Sequence, residues 1–524
     1  MGATLEKENE GGLSLQLKQK NNQSSQILDD EHNKEHTLTC ETAILKKSYQ
    51  FNQEHETFTS LRISSTSNPN VRKSIDLVVV LDKSQSMEGP KLSLCKHTVG
   101  IILDVLKETD RFSLCTFDIK ASVSPLSKMT LQRKRQLKKD IKHISSGQKT
   151  NISAGLFSGI HELEKISKKG NENKIQCIFL LTDGNSNAGI SLPEQLLSAF
   201  KTSFRTFRNL SVFTFGYGDC HNDRILRQIS EQGNGMYYYI ENERDLPYAF
   251  GSCLGGRFSV VAQNISIIFH TINQTQVEKV CQPQHNSKED LPSSAEKNED
   301  ANMVHIGDLC AEEHHDVLFK IKLPCADILP CLKPSNEKWA VLEFTVEYTD
   351  TFSGAKKILK TSTFTHRPVC PTLVDPGYNP SVVQACNRIK AADAMDCALQ
   401  MARLGGNKRD QARRKLKHAV TGIKSTYHFL ESTSELLIKA EGLVDDLEDC
   451  LQGIHTDEIF TTTGSKRIAA KAQSHWKQRS NLSAPSCSPD PYGTFCIQEL
   501  SFKFNESVEV GVESCILASS FSLA

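Results

Sequence analysis

Four short runs, "IDLVVVLD" (75–82), "RFSLCTFD" (111–118), "IQCIFLLTDG" (175–184) and "SVFTFGYG" (211–218), are rich in apolar residues, the first and third almost without interruption. A strand of that kind is covered on both faces. Between the runs lie segments with helical spacing: Leu92, Cys95, Val99, Ile102, Leu103 and Leu106 line one stripe, and 131–144, 152–166, 193–203 and 223–232 behave alike. Doubly covered strands alternating with helices predict a Rossmann-like, doubly wound, mostly parallel sheet, with "GMYYYI" as a further strand. Ligands of such sheets bind beyond the carboxyl ends of the strands.

The flanks read differently. "LTCETAILKKSYQ" and "TFTSLRISS" look like two strands with no partners nearby, whereas 256–370 alternates apolar and polar like an antiparallel sandwich broken by the polar insert 282–301. The expected arrangement is an α/β domain inserted into a β-sandwich. Residues 39–72 then pair with 255–372, and 73–252 form the inserted domain. Apolar stripes such as Val382, Val383, Cys386, Ile389, Met395 and Leu399 predict a small helical array over 378–456. Residues 1–38, poor in large apolar side chains, are expected to be a disordered tail, and so is most of the polar, Ser-rich 457–524, apart from one late strand-like piece, "FCIQELSFKF".

The first run ends in Asp82, Ser84 and Ser86, three hard oxygens at alternate positions. Thr150 lies in the loop "SSGQKTNISAGL", and Asp183 follows "IFLLT" at another strand end. All five fall on the carboxyl edge of the expected sheet. Such a set suits one small hard cation, Mg²⁺ or Mn²⁺, which takes six oxygens at about 2.1 Å and keeps some waters. Neutral hydroxyls leave much of its charge uncompensated, so a partner's Asp or Glu carboxylate can join the shell.

D-x-S-x-S after a buried strand, a distant loop threonine and "LLTDG" resemble the von Willebrand factor A domain and its metal-ion-dependent adhesion site. The likeness continues through "DRFSLCTFD" and "VFTFGYGDCHNDRILRQISEQGNGMYYYIEN". It implies direct coordination by Ser84, Ser86 and Thr150, with Asp82 and Asp183 acting largely through water. The flanking strands resemble plant RING-type ubiquitin ligases that carry this domain and, more loosely, inter-alpha-trypsin inhibitor heavy chains. Residues 380–455 look like the Vwaint region. There are two departures. Cys40 stands alone where a RING would need a Cys/His cluster, and the threonine loop has one glycine where many relatives have two.

Bulk properties narrow the function. The chain has 524 residues and no formal net charge, so nothing draws it as a whole toward nucleic acid or membrane, and no apolar run is long enough to span a bilayer. Its 17 cysteines include no C-x-x-C pair and no signal peptide opens the sequence, which predicts reduced thiols and a cytoplasmic location. "DCHND" and the set Cys310, His314, His315, Cys325 and Cys331 fit no zinc spacing; Asn222 or Asp223 reads as a helix cap. Basic helices near 133–142 and 408–417 read as solvated faces, lacking interleaved aromatics. Neither a phosphate-binding G-x-x-x-x-G-K-[ST] loop nor a G-x-S-x-G elbow is present. The expectation is a non-enzymatic, Mg²⁺-dependent protein-binding scaffold. Its alternatives are a substrate-recruiting component of a ubiquitin-ligase pathway and a secreted, matrix-type protein.

Overall fold

The computed structural model describes residues 37–65, 72–167, 174–183, 186–204, 210–242, 245–282, 302–325, 338–369, 377–431, 434–481 and 490–506. Two strands come first, β1 (Leu38–Ile44) and β2 (His55–Ser65). There follow β3 (Ile75–Asp82), α1 (Pro90–Val105), β4 (Arg111–Phe117), β5 (Ala121–Val123), β6 (Ser127–Lys128), α2 (Leu131–Lys142), α3 (Ile152–Ser167), β7 (Ile175–Thr182), α4 (Pro193–Phe204), β8 (Leu210–Tyr217), α5 (Asp223–Gln232), β9 (Tyr237–Ile240) and α6 (Asp245–Phe258). The strands of this segment make one sheet in the order β5-β4-β3-β7-β8-β9, with β6 also on β4. Its inner neighbours are parallel: β3 with β4 and β7, β7 with β8, and β8 with β9.

Every residue of β3 and β8 is buried. The pleat sorts them. Val78 and Val80 join Leu156 and Ile160 of α3 on one face, while Leu77, Val79 and Leu81 join Val99 and Ile102 of α1 and Phe250 of α6 on the other. This is a doubly wound sheet, mostly parallel.

The antiparallel part comprises β10 (Val260–Thr271), β11 (Gln276–Cys281), β12 (Met303–Cys310), β13 (His314–Leu323), β14 (Trp339–Asp350) and β15 (Lys356–Thr365). One sheet runs β1-β2-β13-β11 and the other β12-β10-β14-β15, and they share a core that includes Leu61, Ile63, Ile267, Phe319 and Phe344. Thus β2 and β13 are sheet neighbours with the whole α/β domain between them in sequence, Arg62 lying opposite Asp316. The entry and exit of the inserted domain are adjacent. Lys73 N–H donates to the Phe258 carbonyl at 3.0 Å, and the Arg72 guanidinium lies 3.7 Å from the centre of the Phe258 ring.

Three helices form the array: α7 (Pro380–Arg403), α8 (Asn407–Lys424) and α9 (Ser434–Gly453). The next segment corrects the expectation for 457–524. A turn of helix (Asp457–Ile459) and a π-helical stretch (Phe460–Gly464) lead into α10 (Ser465–Lys477), and residues 495–506 form a last helix, α11. Only 482–489 and 507–524 of that expected tail lie outside the described residues, as do 1–36 of the N-terminal one and 283–301 of the polar insert. The polar look of α10 is misleading because around Ile468 its buried face is made of small residues such as Ala469 and Ala472 and of the hydrogen-bonded Gln473 and His475. In α11 the alternation Leu500, Phe502, Phe504 mimics a strand. The buried set is Ile497, Leu500, Ser501 and Phe504, which is helical spacing, and Phe502 faces solvent.

Candidate metal centre at the carboxyl edge of the sheet

Asp82 closes β3 with its side chain buried. Ser84 N–H donates to Asp82 Oδ1 at 2.8 Å, an Asx turn that tightens the chain as it leaves the strand. The Thr182 hydroxyl donates to Asp82 Oδ2 at 2.6 Å. A 3₁₀ turn over Gln85–Met87 follows, and Gly89, at φ +86°, reverses the chain so that Pro90 can begin α1. Burial pushes the Asp82 carboxyl up to about 6, against the lowering effect of the Thr182 and Ser84 hydrogen bonds.

The other oxygens form a chain of contacts. Ser84 Oγ and Ser86 Oγ are 3.1 Å apart, and Ser86 Oγ donates to Asp183 Oδ1 at 2.7 Å. Oxygens on adjacent corners of an octahedron of 2.1 Å radius stand about 3.0 Å apart, so the two serine hydroxyls have the spacing a Mg²⁺ shell needs, with Asp183 held behind Ser86. Thr150 is brought to the same edge by its backbone. Its N–H donates to Asn187 Oδ1 at 2.8 Å, and its carbonyl accepts from Asn187 N–H and Ala188 N–H. The loop before it is stitched to the serine turn: Gly147 N–H donates to the Lys83 carbonyl at 2.6 Å, and Gln85 N–H to the Gln148 carbonyl at 3.2 Å. A Cβ at Gly147 would fall 2.2 Å from Asp118 Oδ2, so only glycine lets the loop come this close. The donor set is hard, hydroxyl-rich and carries two carboxylates, and it fits a small oxygen-seeking cation.

Three further residues belong to this site and were not singled out from sequence. Thr182 stands inside the quoted "LLTDG" but attracts no notice, since a threonine ends many strands. Asn187 follows the strand end by a few residues. Lys91 reaches Asp183 Oδ2 with its ammonium at 2.5 Å.

The other cysteine- and histidine-rich stretches do other things. Asn222 Oδ1 caps α5 by accepting from Ile225 N–H, Asp223 pairs with Arg403, and buried His221 bonds the Tyr237 hydroxyl through Nε2 at 2.6 Å. Among the described residues no three His, Cys, Asp or Glu side chains gather where they would hold a metal ion. The site above rests on hydroxyls instead.

Residues 76–251 match the family model of the von Willebrand factor type A domain. An uncharacterized protein of Synechocystis, sll0103, is 26% identical over 288 residues, which is 55% of this chain and 64% of that protein. The E3 ubiquitin-protein ligase WAV3 of Arabidopsis thaliana is 27% identical over 263 residues, 49% of this chain and 32% of the ligase. The chain therefore spans less than two thirds of either relative. The ArnB paralog VWA2 from Sulfolobus acidocaldarius, a solved structure, superposes with a TM-score of 0.55 at 16% identity, covering 84% of this chain and 99% of that one. A likeness that covers both chains so fully at so low an identity is one of fold, and it extends past the central sheet. Residues 76–251 are a von Willebrand factor type A domain, carried within a larger chain.

Proposed function

We propose that this protein is a Mg²⁺-dependent binding scaffold. The Ser84, Ser86 and Thr150 hydroxyls would hold Mg²⁺ or Mn²⁺, with Asp82 and Asp183 acting through water. The ion supplies a positive centre with an open coordination position. An Asp or Glu carboxylate of a partner protein takes that position. The 3.1 Å spacing of Ser84 Oγ and Ser86 Oγ, with Asp183 Oδ1 2.7 Å from Ser86 Oγ, carries the reading. Asp82 accepts one hydrogen bond on each oxygen, from the Ser84 amide and the Thr182 hydroxyl, which fixes the serine turn and leaves lone pairs for a water of the ion's shell. Binding rather than catalysis is the role inferred.

The test uses the full chain as bait in Mg²⁺ and in EDTA. Partners retained only with Mg²⁺ should be lost with Ser86→Ala and with Asp183→Ala, while circular dichroism and melting stay near those of the unmodified protein. Partners equally retained in EDTA would sink the reading.

A cytoplasmic site of action is part of the proposal. It is supported by the thiols, since the cysteines among the described residues are free, with Cys95, Cys115, Cys177, Cys253, Cys310 and Cys450 buried. The likeness to WAV3 favours a second reading, in which the chain recruits substrates for a ubiquitin ligase. A RING protein among the Mg²⁺-dependent partners would support it.

A further inference from the structure

Lys91 lies in the first turn of α1, and its ammonium touches the groups assigned above to the metal. Nζ is 2.5 Å from Asp183 Oδ2 and 3.5 Å from the Ser86 carbonyl. Asp183's other oxygen accepts from Ser86 Oγ. The Asp183 side chain is 1% exposed and that of Lys91 36%, so the ammonium sits on the solvent side of a buried carboxylate. Opposite it is Gly218, at φ +66°, where a Cβ would lie 4.0 Å from Nζ. The contact is loose, and with its side chain 36% exposed Lys91 has a flexible four-carbon stem that can move toward solvent.

One carboxylate thus serves a protein-borne cation at the edge where a divalent ion would bind. A double and a single positive charge served by the same carboxylate, the first of them through water, repel each other in a half-buried setting. We propose that Lys91 is a resident cation of this site, displaced from Asp183 when a divalent ion binds, so that every binding event includes an exchange of cations. Metal affinity is then set below what the oxygen shell alone would give, and half-filling needs a higher concentration of free ion. This inference rests on the metal reading of the preceding subsection.

The test titrates Mn²⁺ alone into the full chain by calorimetry, with water-proton relaxation as a second readout. Lys91→Met should bind Mn²⁺ roughly tenfold more tightly than the unmodified protein, the order expected from removing one charge beside the ion. Lys91→Gln should follow Lys91→Met and covers the case in which the methionine variant folds poorly. Lys91→Arg, which keeps the charge, should stay close to the unmodified protein. Unchanged or weaker binding in both neutral variants would overturn the proposal and leave Lys91 as a prop for Asp183. Absence of Mn²⁺ binding in all four proteins is a different failure: it overturns the metal reading itself, and this inference with it.

Discussion

Two carboxylates of the same edge live in opposite surroundings. Asp183 faces an ammonium, whereas Asp82 faces only a hydroxyl and an amide and is pushed upward by burial. Thr182→Val should therefore leave Asp82 Oδ2 without its donor in a dry place. The expected loss is about 1–3 kcal/mol of stability at neutral pH, read from urea unfolding, with metal affinity falling alongside. His221 makes a second residue-scale case. Burial holds it down to about 4, and its ring packs where a Cβ on Gly216 would fall 2.4 Å from Nε2. Asp223 pulls that value up and Lys466 pushes it down, both less than burial does. A histidine with a depressed folded value gives stability above its unfolded value near 6.5, and that stability drains as pH falls from about 6.5 to 4. Over that window the loss is about 3 kcal/mol, at about 1.4 kcal/mol per pH unit. His221→Phe should be less stable at pH 7, because the Tyr237 hydroxyl loses its partner, yet show a flatter decline between pH 6.5 and 4.5. Equal slopes for variant and parent would show that His221 is not the group responsible. At this scale Asp82, Ser84, Ser86 and Asp183 stand out in the sequence because hard donors just past apolar strands are conspicuous, and Thr150 stands out through its glycine-containing loop. Thr182, Asn187 and Lys91 were not, since each owes its role to a neighbour distant in sequence or in fold.

Elements were legible where their pattern is strong. Runs such as "IDLVVVLD" admit no other fold environment, and the stripes of α7 to α9 have clear helical spacing. The C-terminal helices failed that test for two physical reasons: small and hydrogen-bonded residues make up most of the buried face of α10, and the exposed Phe502 between Leu500 and Phe504 gives α11 the alternation of a strand. Close approach replaces bulk there. A Cβ on Gly251 would fall 2.4 Å from the Ser501 Cα, and one on Gly255 would fall 2.7 Å from the Ile497 Cα. α6 and α11 therefore cross backbone against backbone, and neither contact can be relieved by turning a side chain. Gly255→Val should push α11 away, cost about 1–3 kcal/mol, and increase hydrogen exchange in 495–506 before the central strands are affected. Unaltered exchange in that helix would mean that the crossing is not what holds it.

Across the whole molecule, the C-terminal segment works as a clasp. Gln473 Oε1 accepts from Tyr237 N–H while its Nε2 donates to Ser230, which ties α10 to the von Willebrand factor type A domain. Gln478, in a left-handed conformation, pairs with both the N–H and the carbonyl of Asp316 in β13 and so grips the sandwich. Arg388 of α7 reaches the His475 and Asp316 carbonyls, bringing in the array. Composition alone gave no hint of this, because the contacts are polar and join segments more than 70 residues apart.

The hydrogen bond from Lys73 to Phe258 has a bearing on how the chain folds. β2 must find β13 with a folded domain's length between them, Arg62 and Asp316 being 254 positions apart. Once the insert has closed on itself its two ends are neighbours, and the search shortens to the few dozen residues outside it. That shortcut lowers the entropic barrier by about 1 kcal/mol. Refolding should accordingly be ordered, with Trp339 fluorescence in the sandwich recovering only after the inserted sheet is protected from exchange. Phe179→Ala, which hollows the insert's core, should delay recovery of the sandwich as well.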